Sequence, residues 1–317
     1  MAVWTVGPTL GTYLSHTTAY ADALAAVDHG AEIRTVEDGV YSGQVLDMTG
    51  LTGVSFTKAN GVDYTIGLDT AAPYAFTVGN GFAMTGGTIR AKSYRSMRIN
   101  GAGKSASFIG TNFYIDAGEA LSFAWADSGA SLSITDAVVD GDTQSVIHFL
   151  AALGANAVTL SNVRFKDSVT YTDAAVLAGS TPTTSIDIAA CGAEAGNLFV
   201  VSAGTTVTAL SIEGSYAPNL VDNNGTITAF TGDFNAYNTT AAGTGNATFT
   251  DGGITNFGLD DRGYALKSSP LYRAVDAGLD FGSTHDAEGN PRNTGGRLDI
   301  GPLQNQHQAG LAIEVIA

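Results

Sequence analysis

Four short phrases of similar make-up decide the fold of this 317-residue chain: Ser131-Leu-Ser-Ile134-Thr-Asp136, Val158-Thr-Leu160-Ser-Asn162, Thr184-Ser-Ile186-Asp-Ile188 and Leu210-Ser-Ile212-Glu-Gly214. Their central apolar residues continue a series that starts at Phe108, and every step of the series is equal (134 − 108 = 160 − 134 = 186 − 160 = 212 − 186 = 26). Polar and apolar residues alternate within the phrases, as in strands that bury one face. Similar phrases centre on Met84, one slightly shorter step earlier (108 − 84 = 24), and on Phe230, a still shorter step later (230 − 212 = 18).

This repeat predicts an all-β solenoid, a right-handed parallel β-helix. One coil of such a solenoid takes roughly two dozen residues, and neighbouring strands lie about 4.8 Å apart. Equivalent side chains of successive coils then form a ladder inside the solenoid, and length differences of a few residues fall in the turns. We expect Phe108, Ile134, Leu160, Ile186 and Ile212 to form one such inward-facing ladder. A β-sandwich is the competing architecture.

The residue pattern changes along the chain and predicts three segments: an N-terminal cap over residues 1–42, β-helix rungs over 43–250, and a loop-rich C-terminal cap over 251–317. Residues 17–28 are predicted to form a capping helix, because Tyr20, Leu24 and Val27 recur at helical spacing before a stop at Gly30. We expect Leu24 to face the first coil. Both caps would cover open strand edges that otherwise favour aggregation.

Composition narrows the function classes. Charged residues make up 14% of the chain and there are 40 glycines, which is typical of short strands and tight turns. The net charge of −16 argues against nucleic acid and anionic membranes as partners. A lone cysteine, Cys191, is expected to be a small buried side chain, and the scattered histidines predict neither a metal site nor a cofactor. No leader is visible at the N-terminus, so export by the general secretory route is not expected.

Both ends resemble those of pectate-lyase-like right-handed β-helix proteins, of the kind found in bacteriophage virions and on bacterial surfaces. The stretches that carry the resemblance are Trp4-Thr-Val-Gly-Pro8, Gly30-Ala-Glu-Ile33, Asp38-Gly-Val-Tyr41, Ser269-Pro-Leu-Tyr-Arg-Ala-Val-Asp-Ala-Gly278, Asp286-Ala-Glu-Gly-Asn-Pro-Arg292 and Asp299-Ile-Gly301. The resemblance is specific for the fold. For function it is broad, because the superfamily includes lyases, hydrolases, epimerases, adhesins and virion proteins. An enzyme of this kind would cleave an acidic or complex polysaccharide in a groove along one face.

The repeat also predicts where charged side chains meet. The same equal steps place Tyr114, Asp140, Lys166 and Gly192 in one column, and place Asp116, Asp142, Ser168 and Glu194 in the column two residues further on. Arg164 falls on the same coil as Lys166. A carboxylate pair beside two cations is the set that a glycan lyase or a two-carboxylate glycosidase needs, so Asp140, Asp142, Lys166 and Arg164 are the candidate catalytic residues. The alternative is a structural one, in which turn carboxylates bond locally and a lysine between them reduces repulsion.

Four aromatic residues cluster around one coil: Phe113, Tyr114, Phe123 and Trp125. We expect them to form a binding or contact patch.

Three functions remain open. We expect a non-enzymatic structural protein of a bacteriophage particle, such as a capsid decoration, fibre or tail component, made in the host cytoplasm and located in the virion. Its partners would be other virion proteins, copies of itself in a homotrimer, or a surface glycan. The alternatives are a glycan-degrading enzyme, either a polysaccharide lyase or a tailspike depolymerase, and a bacterial surface adhesin module at the cell surface.

Overall fold

A computed structural model describes residues 2–69, 75–91, 97–99, 104–116, 121–125, 129–141, 147–151, 156–166, 173–178, 184–194, 196–233, 235–242 and 254–255. Its helix α1 spans His16–Ala25. Its strands, in chain order, are β1 (Val3–Val6), β2 (Glu32–Thr35), β3 (Gly39–Gln44), β4 (Leu46–Asp47), β5 (Ser55–Lys58), β6 (Tyr64–Leu68), β7 (Phe76–Val78), β8 (Phe82–Thr85), β9 (Thr88–Ala91), β10 (Met97–Ile99), β11 (Ser105–Ile109), β12 (Asn112–Ile115), β13 (Leu121–Trp125), β14 (Ser131–Gly141), β15 (Ile147–Ala151), β16 (Asn156–Phe165), β17 (Asp173–Ala178), β18 (Thr184–Ala189), β19 (Gly192–Ala193), β20 (Asn197–Val201), β21 (Thr206–Glu213), β22 (Tyr216–Asn223), β23 (Thr226–Asp233), β24 (Ala236–Ala242) and β25 (Ile254–Thr255).

The strands form three faces in which every pairing between successive coils is parallel. The first face stacks β1, β2, β5, β8, β11, β14, β16, β18, β21 and β23. The second stacks β3, β6, β9, β12, the later parts of β14 and β16, then β19 and the early parts of β22 and β24, and ends at β25. The third stacks β4, β7, β10, β13, β15, β17, β20 and the later parts of β22 and β24. The chain is therefore a right-handed parallel β-helix, which confirms the predicted fold class.

The predicted ladder is correct except at one rung. Phe108 pairs with Ile134 and Ile134 with Leu160, and all three are fully buried. Leu160, however, pairs with Ile188, so the prediction for Ile186 is wrong. Ile186 is also fully buried, but it lies one ladder away, and the series resumes where Ile188 pairs with Ile212.

The slip arises at the turn that leads from the second face to the third. From the first face to the second, equivalent positions are five residues apart in each of these coils, as between Ile134 and Val139 (139 − 134). In one coil the step from the second face to the third, from Val139 to Ile147, takes eight residues (147 − 139). In the next coil the equivalent step, from Phe165 to Ala175, takes ten (175 − 165). The following coil is four residues shorter at this turn, with six from Ala193 to Phe199 (199 − 193). A long coil (188 − 160 = 28) is thus followed by a short one (212 − 188 = 24), and the two together equal two steps of the regular repeat.

A single residue in the left-handed backbone region turns the chain from the first face to the second. Successive coils place Gly110, Asp136, Asn162, Ala190 and Gly214 there, with φ between 52° and 60°. Glycine, aspartate and asparagine tolerate this region best, which explains their presence after the repeated phrases. The Asn162 amide donates a 2.6 Å hydrogen bond to the Asp136 carboxylate, so these turns also bond along the solenoid axis.

The N-terminal helix is confirmed, but its predicted inward face is wrong. The buried residues of α1 are His16, Ala19, Tyr20 and Ala23, whereas Leu24 is 41% exposed. The helix begins at His16, one residue before the predicted Thr17, and the Ser15 hydroxyl caps it by accepting a bond from the Thr18 amide. Its role as a cap of the solenoid stays a prediction. No helix in the described ranges is long and apolar enough to cross a membrane.

His16 is the buried polar residue around which the first coils pack. Its Nε2 lies 2.9 Å from the Thr35 hydroxyl, and its ring stacks on Tyr64 at 5.5 Å and meets Tyr41 edge-on at 5.0 Å. Burial lowers the pKa of His16 to about 3, because the charged imidazolium would lose its hydration. The residue therefore folds in its neutral form.

Acid should destabilise the chain through His16. Its pKa lies near 6.5 in the unfolded chain and about 3 in the folded one, so the unfolded state binds the proton first and stability falls as pH drops below 6.5. Between pH 6.5 and 5, where carboxyl groups are still ionised, we expect wild type to lose about 1.5 kcal/mol more than His16→Phe. Urea unfolding at the two pH values measures this difference, and equal losses in both proteins would contradict it.

Leu160→Asp should prevent stable folding, since it places an unpaired carboxylate between Ile134 and Ile188. We expect a loss of at least about 4 kcal/mol in the free energy of unfolding. Ser161→Asp is the matched control, because the next side chain on the strand points outward, and it should cost less than about 1 kcal/mol. Circular dichroism and chemical denaturation of both variants test the ladder, and similar stabilities would contradict it.

Candidate functional site

The candidate catalytic residues lie on the outer side of the second face. There Arg90 pairs with Tyr114 and Tyr114 with Asp140, and Lys166 and Glu194 occupy the same position on the next two coils. These five outward-facing residues, one per coil, are called the charged column below. Their inward-facing neighbours, such as Phe113, Val139 and Phe165, are buried and hold the strands in register. The column therefore alternates in charge along the solenoid axis, with one tyrosine between Arg90 and Asp140.

Lys166 and Asp140 form an ion pair between adjacent coils. The Lys166 ammonium donates to the Asp140 carboxylate at 2.7 Å. Both side chains are about one-third exposed, at 38% and 35%. The predicted contact between these two residues is confirmed, and its exposure places it among surface pairs that stabilise a fold only weakly.

Arg164 and Glu194 form a second pair, which is much more buried. The guanidinium donates through Nε at 2.7 Å and Nη2 at 2.6 Å to Glu194 Oε1. The Arg164 side chain is only 5% exposed and that of Glu194 17%. Gly192, which has no side chain, is the strand partner of Arg164 on the next coil and leaves room for the guanidinium to cross to Glu194.

Arg90 supplies the third pair. Its Nε donates to Asp116 on the next coil at 2.5 Å, and its guanidinium carbon lies 5.4 Å from the centre of the Tyr114 ring. An arginine over a tyrosine face is a cation–π contact as well as an ion-pair donor. Each of these three cations therefore bonds to a carboxylate of a neighbouring coil.

The predicted columns need one correction, which follows from the slip of two residues. Gly192 was expected beside Lys166, but it pairs with Arg164, and Glu194 takes the place beside Lys166. Glu194 was expected in the column of Asp116. Asp142 and Ser168 lie outside the described residues, so the predicted Asp116–Asp142 carboxylate pair stays a prediction.

Of the four residues of the predicted aromatic patch, Phe113 and Tyr114 lie on opposite sides of the sheet. Phe113 is wrong as a surface residue, since it is 1% exposed and packs against Phe108 in the core. Tyr114 faces outward beside Arg90. Phe123 and Trp125 belong to β13, and their side chains lie outside the described part of the structure. The strand's alternation separates adjacent residues such as Phe113 and Tyr114 onto opposite sides of the sheet.

Chemically, this arrangement offers carboxylates and cations that are between 5% and 38% exposed and already bonded to one another. A cation that neutralises a neighbouring carboxylate must leave it before it can hold a substrate carboxylate or act as a base. Among the residues that the structure describes, no group of three or more histidines, cysteines and carboxylates is placed to hold a metal ion.

Sequence reasoning missed Arg90 as a member of this column and Glu194 as the partner of Arg164. Arg90 follows Ile89 at the position that Tyr114 holds after Phe113, so an extension of the repeat by one earlier coil, from Tyr114 back to Arg90, could have found it. Cys191 is buried, as predicted, and its amide bonds to the hydroxyl of Ser215.

Among known proteins, this chain is similar in fold to a solved structure but matches no family model. No family model matches the chain, and no curated protein matches it. Among solved structures, the chain is similar to a pectin methylesterase from Aspergillus niger, at 14% identity over 78% of this chain and 90% of that one, with a TM-score of 0.31. We infer no activity from this likeness. The parallel strand pairings show the fold alone, a parallel β-helix.

The Arg164–Glu194 and Lys166–Asp140 ion pairs should differ in energy, because the first is buried and the second is exposed. Glu194→Gln, which keeps the shape but removes the charge beside buried Arg164, should cost about 3 kcal/mol. Asp140→Asn, the same change beside half-exposed Lys166, should cost under about 1 kcal/mol. Chemical denaturation of both variants measures the difference, and equal costs would contradict the assigned burial.

Proposed function

We propose that this chain is a non-enzymatic structural protein of a bacteriophage particle, acting as a capsid decoration, fibre or tail component. In this role the solenoid serves as a rigid spacer, and the charged column stabilises its stacking. The partners would be other virion proteins or further copies of the chain.

The observation that carries the structural role is the pairing of charges between coils. Arg90, Lys166 and Arg164 each bond to a carboxylate of an adjacent coil, at 2.5 to 2.7 Å. Such pairs add to the strand hydrogen bonds, the core packing and the turn bonds, such as that from Asn162 to Asp136, that also join the coils. A site built to bind an anionic glycan would instead keep a cation directed at the ligand.

The placement in a virion has a separate support, namely the resemblance of both ends to β-helix proteins of phages and bacteria. Trp4-Thr-Val-Gly-Pro8 and Asp38-Gly-Val-Tyr41 carry it at one end, and Asp286–Arg292 carries it at the other. The same resemblance covers bacterial surface proteins, so the location of the chain, in particles or on bacteria, distinguishes the two.

A glycan-degrading enzyme is the second candidate. It is favoured by the exposure of Lys166 and Asp140, at 38% and 35%, on the outer side of a long sheet where a polymer could lie. In that case Lys166 would act as a base or carboxylate clamp, with Asp140, Asp142 and Arg164 completing the site.

Turnover distinguishes the two candidates. We expect the purified protein to leave polygalacturonate, alginate and bacterial capsular polysaccharide intact, with no fall in viscosity, no new reducing ends and no absorbance from unsaturated uronates. Cleavage that drops about 100-fold or more in Lys166→Ala and Asp142→Asn, but not in the exposed control Lys58→Ala, would contradict the structural role.

Particle association tests the virion assignment directly. Phage particles from the organism that carries this gene, purified on a density gradient, should contain the chain in stoichiometric amount by mass spectrometry. Its absence from particles, together with its presence on the surface of intact bacteria, would favour the adhesin alternative and overturn the proposal.

A further inference from the structure

The N-terminal end of the solenoid carries most of the well-exposed large hydrophobic side chains among the described residues. Eight large hydrophobic side chains are well exposed among the described residues. Seven of them lie between residues 3 and 45: Val3, Leu10, Leu14, Leu24, Val27, Val40 and Val45. The eighth is Ile109, at 44%. Leu14 and Val40 are among the most exposed, at 73% and 63%. Apolar side chains concentrated at one end of a solenoid indicate a contact surface there.

One strand edge is open beside this surface. β3 pairs with β6 on one side, and no other described strand pairs with it. The Gly39 amide bonds to the Asp63 carbonyl of that neighbour, so the alternate residue Val40 directs its amide and carbonyl to the opposite side. Further along β3, the side-chain amide of Gln44 donates a hydrogen bond to the Ser42 carbonyl, so this carbonyl is already bonded. The part of the edge around Val40 is therefore a short template for an added strand.

A groove runs along this edge. It has a volume of about 320 Å³ and lies between the segment that precedes α1 and β3. We call it the N-terminal groove, and its principal lining residues are Pro8, Leu14, Asp38, Val40, Tyr41 and Gln44. Val40 and Leu14 supply apolar walls, and the free edge of β3 supplies hydrogen-bonding groups. An extended peptide needs this combination.

The charge of this end is strongly negative. Residues 2–50 contain Asp22, Asp28, Glu32, Glu37, Asp38 and Asp47 against a single cation, Arg34, which gives 1 − 6 = −5. Arg34 is itself bonded to Glu32 at 2.7 Å. Beside the groove, a hydrogen bond from the Thr9 hydroxyl lowers the pKa of Glu37, with the Thr9 and Leu10 amides also donating, so this carboxylate stays ionised. A strand that carries lysine or arginine complements this end.

We infer that the N-terminal groove binds an extended, cationic strand of a partner protein, which adds to the free edge of β3. Valine or isoleucine side chains of that strand lie between Leu14 and Val40, and its basic side chains lie beside Glu37 and Asp38. This inference rests on the N-terminal geometry alone and is independent of the proposed role in a virion. The charge argues against a second copy of the same end as the occupant, because two surfaces of charge −5 repel each other.

Two synthetic peptides probe the groove, both acetylated and amidated: Lys-Val-Thr-Val-Lys-Val-Thr-Lys and the same sequence with glutamate in place of lysine. The cationic peptide should bind the full chain with a Kd of about 1 mM or tighter, and more weakly as salt rises. Amide shifts in nuclear magnetic resonance should concentrate on residues 38–44. The glutamate peptide, and a cationic peptide with every backbone amide methylated, should bind at least about tenfold more weakly.

Variants locate the site. Val40→Glu and Leu14→Glu change exposed side chains and should weaken binding of the cationic peptide at least about tenfold. Ile109→Glu is the control, since Ile109 is also exposed, at 44%, but lies on the first face. No binding of the cationic peptide, equal binding of the two charge types, or an equal effect of Ile109→Glu would overturn the inference. So would a dimer in analytical ultracentrifugation that Leu14→Glu dissociates, because the occupant would then be a second copy.

Discussion

The hydrogen bonds between successive coils are the constraint on which the rest of this molecule depends. Nearly every strand from β5 onward lies between parallel neighbours, so its backbone groups are satisfied only when the coils above and below keep register. That register converts the sequence into columns with a repeat of about 4.8 Å. Ile134, Leu160 and Ile188 become one apolar ladder, and the single left-handed turn residue after each of them, such as Asn162, fixes where the second face begins.

The same columns decide the chemistry of the outer surface. Asp140 and Lys166 meet because they follow equivalent buried residues, Val139 and Phe165, on adjacent coils. Arg164 reaches Glu194 because Gly192 stands beside it on the next coil. Charges in such columns neutralise one another between coils, and this favours a structural role for them. The N-terminal end differs, since the edge of β3 around Val40 has no described coil below it.

The sequence was sufficient for the fold, because a period in apolar residues survives small changes in turn length. It could not locate the slip at Ile186. The long coil that ends at Ile188 and the short coil that follows it restore the period by Ile212, and Ile186 is two positions from Ile188 on the same side of the strand. The same two-residue error affected the predicted site, because the sequence placed Glu194 in the column of Asp116 and not beside Lys166 and Arg164. The prediction that Leu24 faces inward was wrong for a different reason. The buried stripe of α1 starts at His16, a polar residue that bonds to Thr35, and hydropathy alone does not identify such a residue as buried.

Disulfide trapping between coils tests the register most directly. Thr159 faces outward opposite Asp187, not Ser185, on the adjacent strand. Thr159→Cys combined with Asp187→Cys should therefore close a disulfide under mild oxidation, detected by mass spectrometry of the digested chain, because side chains directly opposite each other lie within bonding reach. Thr159→Cys combined with Ser185→Cys should remain reduced under the same conditions. Efficient closure of the second pair in preference to the first would mean that the coils keep one uniform period throughout, and the assigned partners of Arg164 and Lys166 would be wrong.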